Sequence, residues 1–243
     1  MTTTGTLYGV GTGPGDPELL TLKAARILAA VDVVAHFAKR GRAGNAQAIV
    51  AGRLKDGATL LPLLYPVTTE IDKDHDEYRG AIADFFDASA ELVAGHLARG
   101  SDVAVLSEGD PLFYGSYMHL HVRLAGRFPT EVVPGVTAMS GCWSLAGAPI
   151  TQGDDVLAVL PGTLSAAALT RRFEDADAAV VMKVGRNLAK IRAALSAAGR
   201  LDRAIYVERG TMADGRSMRL ADKTDDEAPY FSIVLVPGWS ARS

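Results

Sequence analysis

Two stretches of this chain place acids, glycines and aromatic rings directly after short apolar runs. The run DVAVL at 102–106 is followed by SEGDPLFYGSY at 107–117. Gly-Asp-Pro alone is enough to turn a chain, so the additional Glu108 and the aromatic cluster indicate a binding site. The stretch GVGTGPGD at 9–16 also links an apolar run to an amphipathic one. Because glycine lacks a Cβ, the backbone can approach a ligand closely there; a tight strand-to-helix turn is the alternative.

The spacing of the glycines in the first of these loops argues against two common phosphate-binding motifs. A G-x-G-x-x-G motif starting at Gly9 would need glycine at Pro14, and one starting at Gly11 would need it at Asp16. A P-loop would end in Gly-Lys-Ser or Gly-Lys-Thr, which the stretch 9–16 lacks. The sequence therefore predicts neither a Rossmann dinucleotide site nor a Walker loop.

A second class of function stays open at this stage. In a nucleotide- or phosphate-binding regulatory module, the same glycine loop would place an anion at the start of the following helix. Asp16 and Glu18 oppose this interpretation, because they would put negative charge beside the phosphate.

Alternation of short apolar runs with longer amphipathic segments predicts an α/β fold. The amphipathic segments 16–31 and 74–99 are predicted helices. We expect a parallel-sheet domain at 1–130 and a mixed-sheet domain at 131–243. The predicted strands share Val and Ile content and closing turn residues; they are 6–10, 32–37, 59–63, 102–106, 131–133, 156–160, 178–184, 204–208 and 231–236.

Composition narrows the class of protein further. The 243 residues carry a net charge of −3 and are 48% hydrophobic, which favours a large core and not a nucleic-acid surface. One cysteine, Cys142, permits neither an intrachain disulfide nor a multi-cysteine metal site, and we expect no metal.

The start MTTTGTLYGV lacks the features of a signal peptide, and we see no apolar run long enough for a membrane span. We expect a cytoplasmic protein without nucleic-acid or membrane partners.

Three motifs in a fixed order resemble the tetrapyrrole methylases, the S-adenosylmethionine-dependent enzymes of sirohaem and cobalamin biosynthesis. They are GVGTGPGDPELLTLKAARIL at 9–28, SEGDPLFYGS at 107–116 and VVPGVTAMSGCWSLAGAPIT at 132–151. The resemblance extends over residues 5–237. It implies two α/β domains with the cofactor in the cleft between them, a homodimer, and S-adenosylhomocysteine as a product.

The resemblance also implies cofactor contacts, residue by residue. The loop after the fourth strand matches the family's cofactor loop, and two positions in the second domain fall where relatives line the same pocket. The implied contacts are Pro14, Glu108, Gly109, Asp110, Phe113, Thr137, Ala138, Val184 and Gly210.

Within the family, the chain resembles the branch that methylates C-20 of precorrin-2 more than the uroporphyrinogen methylases. The latter carry Tyr-Asp where this sequence has His36-Phe37, and Arg where it has Ser116. The resemblance implies methyl transfer to C-20 of precorrin-2 in cobalamin biosynthesis, giving precorrin-3A. The cobalt-containing factor II of the anaerobic branch is the alternative substrate.

The implied reaction releases a proton, and its substrate carries many carboxylates. The sequence assigns no catalytic base; the candidates are His36, Tyr114 and Tyr117, with Glu108, His119 and Glu208 as further possibilities. Arg and Lys suit carboxylates, although each is also common on a solvated surface. The cationic candidates are Lys39, Arg40, Arg42, Lys183, Arg186 and Arg209.

Overall fold

The structure is a computed structural model that describes residues 4–41, 44–66 and 76–238. The chain divides into two compact units, with the division after Thr137. Among the helices of the described ranges, none combines the length and hydrophobicity needed to cross a bilayer.

The first unit is a parallel five-stranded sheet in the order β3-β2-β4-β1-β5. Its strands are β1 (Leu7–Gly11), β2 (Val33–Ala38), β3 (Thr59–Leu64), β4 (Val103–Ser107) and β5 (Thr130–Val133). Its helices are α1 (Leu22–Leu28), α2 (Asn45–Val50), α3 (Asp76–Ala98) and α4 (Tyr117–Leu124).

Helices cover both faces of this sheet, which is why its central strands are apolar throughout. In β4, Val103 and Val105 pack with α3 and α4, whereas Ala104 and Leu106 pack with α1 and α2. A strand buried on both faces reads as a continuous hydrophobic run. The parallel arrangement confirms the prediction for the first half and brings the carboxyl ends of the strands to one edge.

The first helix starts later than the sequence predicts. The predicted helix 16–31 is a 3₁₀ turn at Pro17–Leu19 followed by α1. Leu20 is extended, with φ −63° and ψ 134°. The Thr21 side chain then caps α1 by accepting a hydrogen bond from the Ala24 N–H at 3.1 Å. The threonine cap, and not the acidic turn before it, sets the start of the helix.

The second unit has a mixed sheet in the order β6-β7-β10-β8-β9, in which β6 and β7 are parallel and the other pairs antiparallel. The strand β9, which is absent from the predicted strands, lies at one edge. The strands are β6 (Leu157–Pro161), β7 (Ala178–Met182), β8 (Ile205–Glu208), β9 (Arg216–Arg219) and β10 (Ser232–Val236). The helices are α5 (Ala138–Ala146), α6 (Ala166–Asp175) and α7 (Leu188–Ala197).

The strand β5 explains why the division between the units lies beyond the predicted position. The sequence analysis placed 131–133 in the second domain. In the structure, β5 pairs in parallel with β1 over Leu7–Val10, so it belongs to the first sheet. The segment that follows β5 also stays with the first unit, up to Thr137.

Candidate functional site

Two loops that the sequence singled out are joined by backbone hydrogen bonds at the carboxyl edge of the first sheet. The N–H of Thr12 donates to the Ser107 oxygen at 2.9 Å. Gly109 donates to the Gly13 oxygen at 2.8 Å, and Gly13 donates back to the Gly109 oxygen at 3.4 Å. This small antiparallel bridge holds the loop after β1 against the loop after β4, because β1 and β4 are neighbours in the sheet.

A third loop, after β5, joins the same edge through Asp110. Its carboxylate accepts a hydrogen bond from the Gly135 N–H at 3.2 Å and another from the Leu112 N–H at 2.9 Å. Asp110 therefore turns its own loop and ties it to the β5 loop. The predicted cofactor contacts of the first unit, Pro14, Gly109, Asp110 and Thr137 among them, lie in these three loops, with Pro14 and Thr137 half-buried.

Glycine is required where these loops touch. A Cβ on Gly135 would lie 2.1 Å from the Gly109 oxygen, and a Cβ on Gly11 would lie 2.7 Å from the same atom. Such distances are too short for real side chains, and the neighbours are rigid backbone. Gly11 and Gly135 thus serve contact between loops, and the close approach of a ligand to the first loop stays a prediction.

The loop after β4 carries backbone strain next to its aromatic residues. Gly109 has φ +67°, and Tyr114, which is not glycine, has φ +55°. The half-buried Phe113 meets the exposed Tyr114 edge to face, with 4.9 Å between ring centroids. Left-handed backbone at a non-glycine residue persists only where the surroundings enforce it, and it clusters at binding sites.

The three loops are acidic and contain no Lys, Arg or His. They comprise GTGPGD at 11–16, EGDPLFYG at 108–115 and PGVT at 134–137. Their formal charges come from Asp16, Glu108 and Asp110 alone. Such an edge suits a neutral or positively charged ligand better than a phosphate.

Glu108 follows β4 and lies near Asn45 and Ala46 at the start of α2. More than a third of the residue's surface is exposed, yet desolvation by neighbouring groups raises the pKa of Glu108, and polar interactions with Asn45 and Ala46 oppose that rise. The cofactor contact that the family resemblance implies for Glu108 stays a prediction.

His36 lies on β2 opposite Pro62, near the same carboxyl edge. It is only 4% exposed, and its Nδ1 atom has no hydrogen-bond partner among the described residues. Desolvation lowers the pKa of His36, and the Val34 backbone partly opposes this. Burial therefore favours the neutral form of the imidazole.

Tyr117, a candidate base, lies in the core. It is fully buried, with its ring against Gly9, where a Cβ would lie 2.3 Å from the tyrosine Cζ. Its hydroxyl is 3.1 Å from Nδ1 of His121, and burial raises the pKa of Tyr117 to about 12. This position favours packing over proton transfer.

An aromatic cluster lies at the carboxyl ends of β2 and β3. Phe37 and Tyr65 stack at 5.8 Å, and Phe85 lies 4.7 Å from Tyr65. The Tyr65 hydroxyl is hydrogen-bonded to the Ser116 hydroxyl at the start of α4. The exposed His119, another candidate base, stacks on Phe86 at 4.0 Å. Phe37 and Ser116, which distinguish this sequence from uroporphyrinogen methylases, thus belong to one contact network.

In the second unit, the predicted contacts lie around the ends of β7 and β8. Val184 is fully buried in the core that follows β7, so any ligand there would meet its backbone. Gly210 packs on α5, where a Cβ would lie 2.7 Å from Sγ of Cys142. Burial raises the pKa of Cys142 to about 11, so its thiol stays protonated as a core group. Ala138 begins α5.

Glu208, a further candidate base, is held in an ion pair. Arg216 donates to both of its carboxylate oxygens, from Nε at 2.9 Å and Nη2 at 3.0 Å, and Tyr206 donates at 2.8 Å. The bond from Arg216 is the main reason that the pKa of Glu208 is lowered. This carboxylate is a structural acceptor that joins β8 to β9.

The cationic candidates lie at several strand ends. Lys39 and Arg40 are exposed directly after β2, and Arg186 is exposed after β7. Arg209 pairs with Asp214. Lys183 and Arg209 adopt φ +55° and +48°. Arg42 lies outside the described residues.

Sequence reasoning did not find Gly135 as a loop contact, or Tyr65. Tyr65 follows β3 in the segment LLYP, and an aromatic residue at the carboxyl end of a parallel strand could have flagged it.

Known proteins similar to this chain agree on one family. The sequence profile described as Tetrapyrrole (Corrin/Porphyrin) Methylases matches residues 6–225. A precorrin-2 C(20)-methyltransferase from Sinorhizobium sp is 69% identical over 98% of this chain and 97% of its own length. A cobalt-precorrin-2 C(20)-methyltransferase from Salmonella typhimurium is 30% identical over 96% of each chain.

A solved structure supports the same grouping. The uroporphyrin-III C-methyl transferase from Thermus thermophilus, complexed with S-adenyl homocysteine, superimposes with a TM-score of 0.68. The two sequences are 26% identical, and the match covers 98% of this chain and 94% of the Thermus thermophilus chain.

Proposed function

The chain belongs to the tetrapyrrole methylase family, and we propose that it methylates C-20 of precorrin-2 with S-adenosylmethionine, giving precorrin-3A in cobalamin biosynthesis. The observation that carries this is 69% identity to a precorrin-2 C(20)-methyltransferase over almost the whole of both chains. The acidic, glycine-bridged edge of the first sheet supports the same chemistry.

The residues at that edge fit the cofactor. Its sulfonium and amino groups are positively charged, and the three loops offer backbone polar groups and acids without a single cation. We propose that Pro14, Gly109, Asp110, Phe113 and Thr137 hold it in the first unit. Asp110 acts indirectly, because its carboxylate already binds Gly135 and Leu112. On family resemblance, Ala138, Val184 and Gly210 are proposed as further contacts.

The reaction needs positioning more than it needs an activated group. S-adenosylmethionine supplies a methyl group on a sulfonium, which is a good leaving group. The electron pair of the electron-rich C-20 forms the new carbon–carbon bond, and the proton lost from the ring system passes to a base or to water. The rigid, bridged loops of this chain keep the approach in line, and such orientation contributes several kcal/mol in favourable cases, up to ~10 kcal/mol.

The proton acceptor stays unassigned among the protein's own groups. Tyr117 is buried, and Glu208 is held by Arg216. His36, Tyr114, His119 and Glu108 stay candidates: His36 is buried, with an Nδ1 atom that has no hydrogen-bond partner in the described ranges, and the other three are exposed.

The cobalt-containing factor II is a second candidate substrate. The relative from Salmonella typhimurium bears the cobalt-precorrin-2 name, but its identity to this chain is 30%, against 69% for the relative named a precorrin-2 C(20)-methyltransferase. We therefore favour the metal-free ring.

We also propose a cytoplasmic homodimer. Several large apolar side chains are exposed in the single chain, such as Leu22 at 91% and Val122 at 77%, and a partner copy would bury some of them. Sedimentation at micromolar concentration should give twice the mass of the chain; a monomer would contradict the dimer.

Calorimetry separates this function from a phosphate-binding module. S-adenosylhomocysteine should bind, and ATP and NAD should not, because the three loops carry negative charge and no cation. Binding of ATP without binding of S-adenosylhomocysteine would overturn the proposal.

A further inference from the structure

We propose that Tyr65 and Ser116 are positioning residues for methyl transfer. The hydrogen bond between their hydroxyls ties the far end of the loop 108–115 to the aromatic cluster at the carboxyl ends of β2 and β3. The inference rests on the proposed function, because it needs a methyl donor held by that loop. It gives the two hydroxyls a role in orientation that requires no contact with the cofactor or with the reacting carbon.

Ser116 stands where a serine ordinarily caps a helix. At the N-cap position, a serine hydroxyl accepts a hydrogen bond from an N–H of the first helical turn. The Ser116 side chain makes no such bond with α4, and its backbone is helical, with φ −71° and ψ −22°. Its hydroxyl is bonded instead to Tyr65, 51 residues away in the chain. The hydroxyl therefore joins two distant elements and does not cap its own helix.

Tyr65 is held in place by contacts other than its hydroxyl. Its backbone N–H donates to the Ala38 oxygen at 3.0 Å, which extends the pairing of β3 with β2. Its ring stacks with Phe37 of β2 at 5.8 Å between centroids and lies 4.7 Å from the ring of Phe85 of α3. Since β2 lies between β3 and β4 in the sheet, the bond to Ser116 joins elements on either side of β2. Tyr65 is thus a fixed point to which the loop after β4 is attached.

The end of the loop that Ser116 holds contains two ring residues of the candidate site. Phe113, a proposed cofactor contact, and Tyr114, a candidate proton acceptor, directly precede Gly115 and Ser116. Tyr114 has φ +55°, and such backbone strain persists only where the surroundings enforce it. Gly115 packs closely, because a Cβ there would lie 2.6 Å from Oγ of Ser107. The bond from Ser116 to Tyr65 is one of the contacts that keep this end of the loop in its strained shape.

The start of the same loop is attached by other bonds. Gly109 and Gly13 exchange backbone hydrogen bonds, and Asp110 accepts from the Gly135 N–H. Loss of the hydroxyl bond leaves these attachments in place, so the cofactor should still bind. Its methyl group would be less well aligned with C-20, and a misplacement of about 1 Å can lower a rate by ~100-fold. We therefore expect an effect on the rate of transfer and not on cofactor affinity.

Single-turnover kinetics separates orientation from binding, because enzyme in excess removes product release from the measured rate. Tyr65→Phe and Ser116→Ala should each lower the rate of methyl transfer to saturating precorrin-2 by about tenfold, while the Kd for S-adenosylhomocysteine stays within about twofold. Ser116→Thr keeps a hydroxyl and should recover most of the rate. The controls are Tyr8→Phe, on a half-buried ring in β1, and Ser196→Ala, on an exposed serine in α7; both should leave the rate and the Kd unchanged.

A double-mutant cycle tests whether the two hydroxyls act as one link. Because both changes remove the same bond, the variant that combines Tyr65→Phe with Ser116→Ala should be no slower than the slower single variant. An unchanged rate in the single variants, rate losses that multiply in the double variant, or a loss of S-adenosylhomocysteine affinity as large as the loss of rate would each overturn the inference. Failure of the wild-type protein to methylate precorrin-2 would instead overturn the proposed function, and this inference with it.

Discussion

Gly109 and Gly13 exchange two backbone hydrogen bonds, of 2.8 Å and 3.4 Å, across the carboxyl edge of the first sheet. Asp110 extends this bridge to Gly135 at 3.2 Å. The loops after β1, β4 and β5 therefore form one unit of backbone, and a change in any of the three should be felt in the others.

Gly135→Ala should destabilise the protein and weaken cofactor binding together. The new Cβ would lie 2.1 Å from the Gly109 oxygen, so the β4 and β5 loops must separate. Overpacking of this kind costs ~1–3 kcal/mol. Urea denaturation and calorimetry with S-adenosylhomocysteine measure the two effects. Gly126→Ala, where the added Cβ meets open space, is the control; a variant at Gly135 with unchanged stability would contradict the packing.

Gly109→Leu should weaken S-adenosylhomocysteine binding by tenfold or more, roughly 1.4 kcal/mol. Gly109 has φ +67°, so leucine would also strain the backbone. Gly57→Leu is the matched control, because Gly57 has φ +77° and open space around it. Both variants should lose similar stability, but only the one at Gly109 should lose affinity. Equal affinities in the two folded variants would refute a cofactor role for this loop.

Tyr65→Phe should reduce stability by about 1 kcal/mol, the net worth of a typical hydrogen bond. The change removes the hydroxyl that bonds Ser116 but keeps the ring that stacks with Phe37 and Phe85. Thermal unfolding provides the measurement. Tyr8→Phe serves as a control at another half-buried tyrosine ring, and a loss as large there would show that the bond from Tyr65 to Ser116 does not account for the effect.

The Glu208–Arg216 ion pair should make stability depend on pH. The pKa of Glu208 is lowered in the folded chain, so the pair stabilises the fold above the ordinary carboxyl pKa. That contribution is lost as pH falls through the folded-state pKa. Glu208→Gln should cost about 1–3 kcal/mol near pH 7 and should shrink the difference in unfolding free energy between pH 7 and an acidic buffer. An unchanged difference would contradict the assignment.

The sequence predicted the strands best where burial on both faces made them continuously apolar. It missed β9, because RSMR is polar, largely exposed and at the sheet edge, and thus shows neither alternation nor a hydrophobic run. It extended α1 backward to Asp16, because the cap at Thr21 competes with an acidic turn that looks equally suitable.

The site was predictable as a set of loops, but its contacts were not. The motifs located the loops after β1, β4 and β5, yet which glycine meets which depends on strand order, because β1 lies between β4 and β5. The bond from the Gly135 N–H to Asp110 joins two loops 25 residues apart in sequence, and no local pattern reports it.

Incubation with precorrin-2 and a carbon-13 methyl donor, followed by NMR of the product, tests the central claim most directly. By resemblance, uroporphyrinogen methylases carry Asp and Arg at the positions of Phe37 and Ser116. In this chain Phe37 lies in an aromatic cluster and Ser116 is bonded to Tyr65. We predict one labelled methyl, at C-20 of precorrin-2, and no turnover of uroporphyrinogen III. A methyl at any other carbon, or turnover of uroporphyrinogen III, would contradict the account.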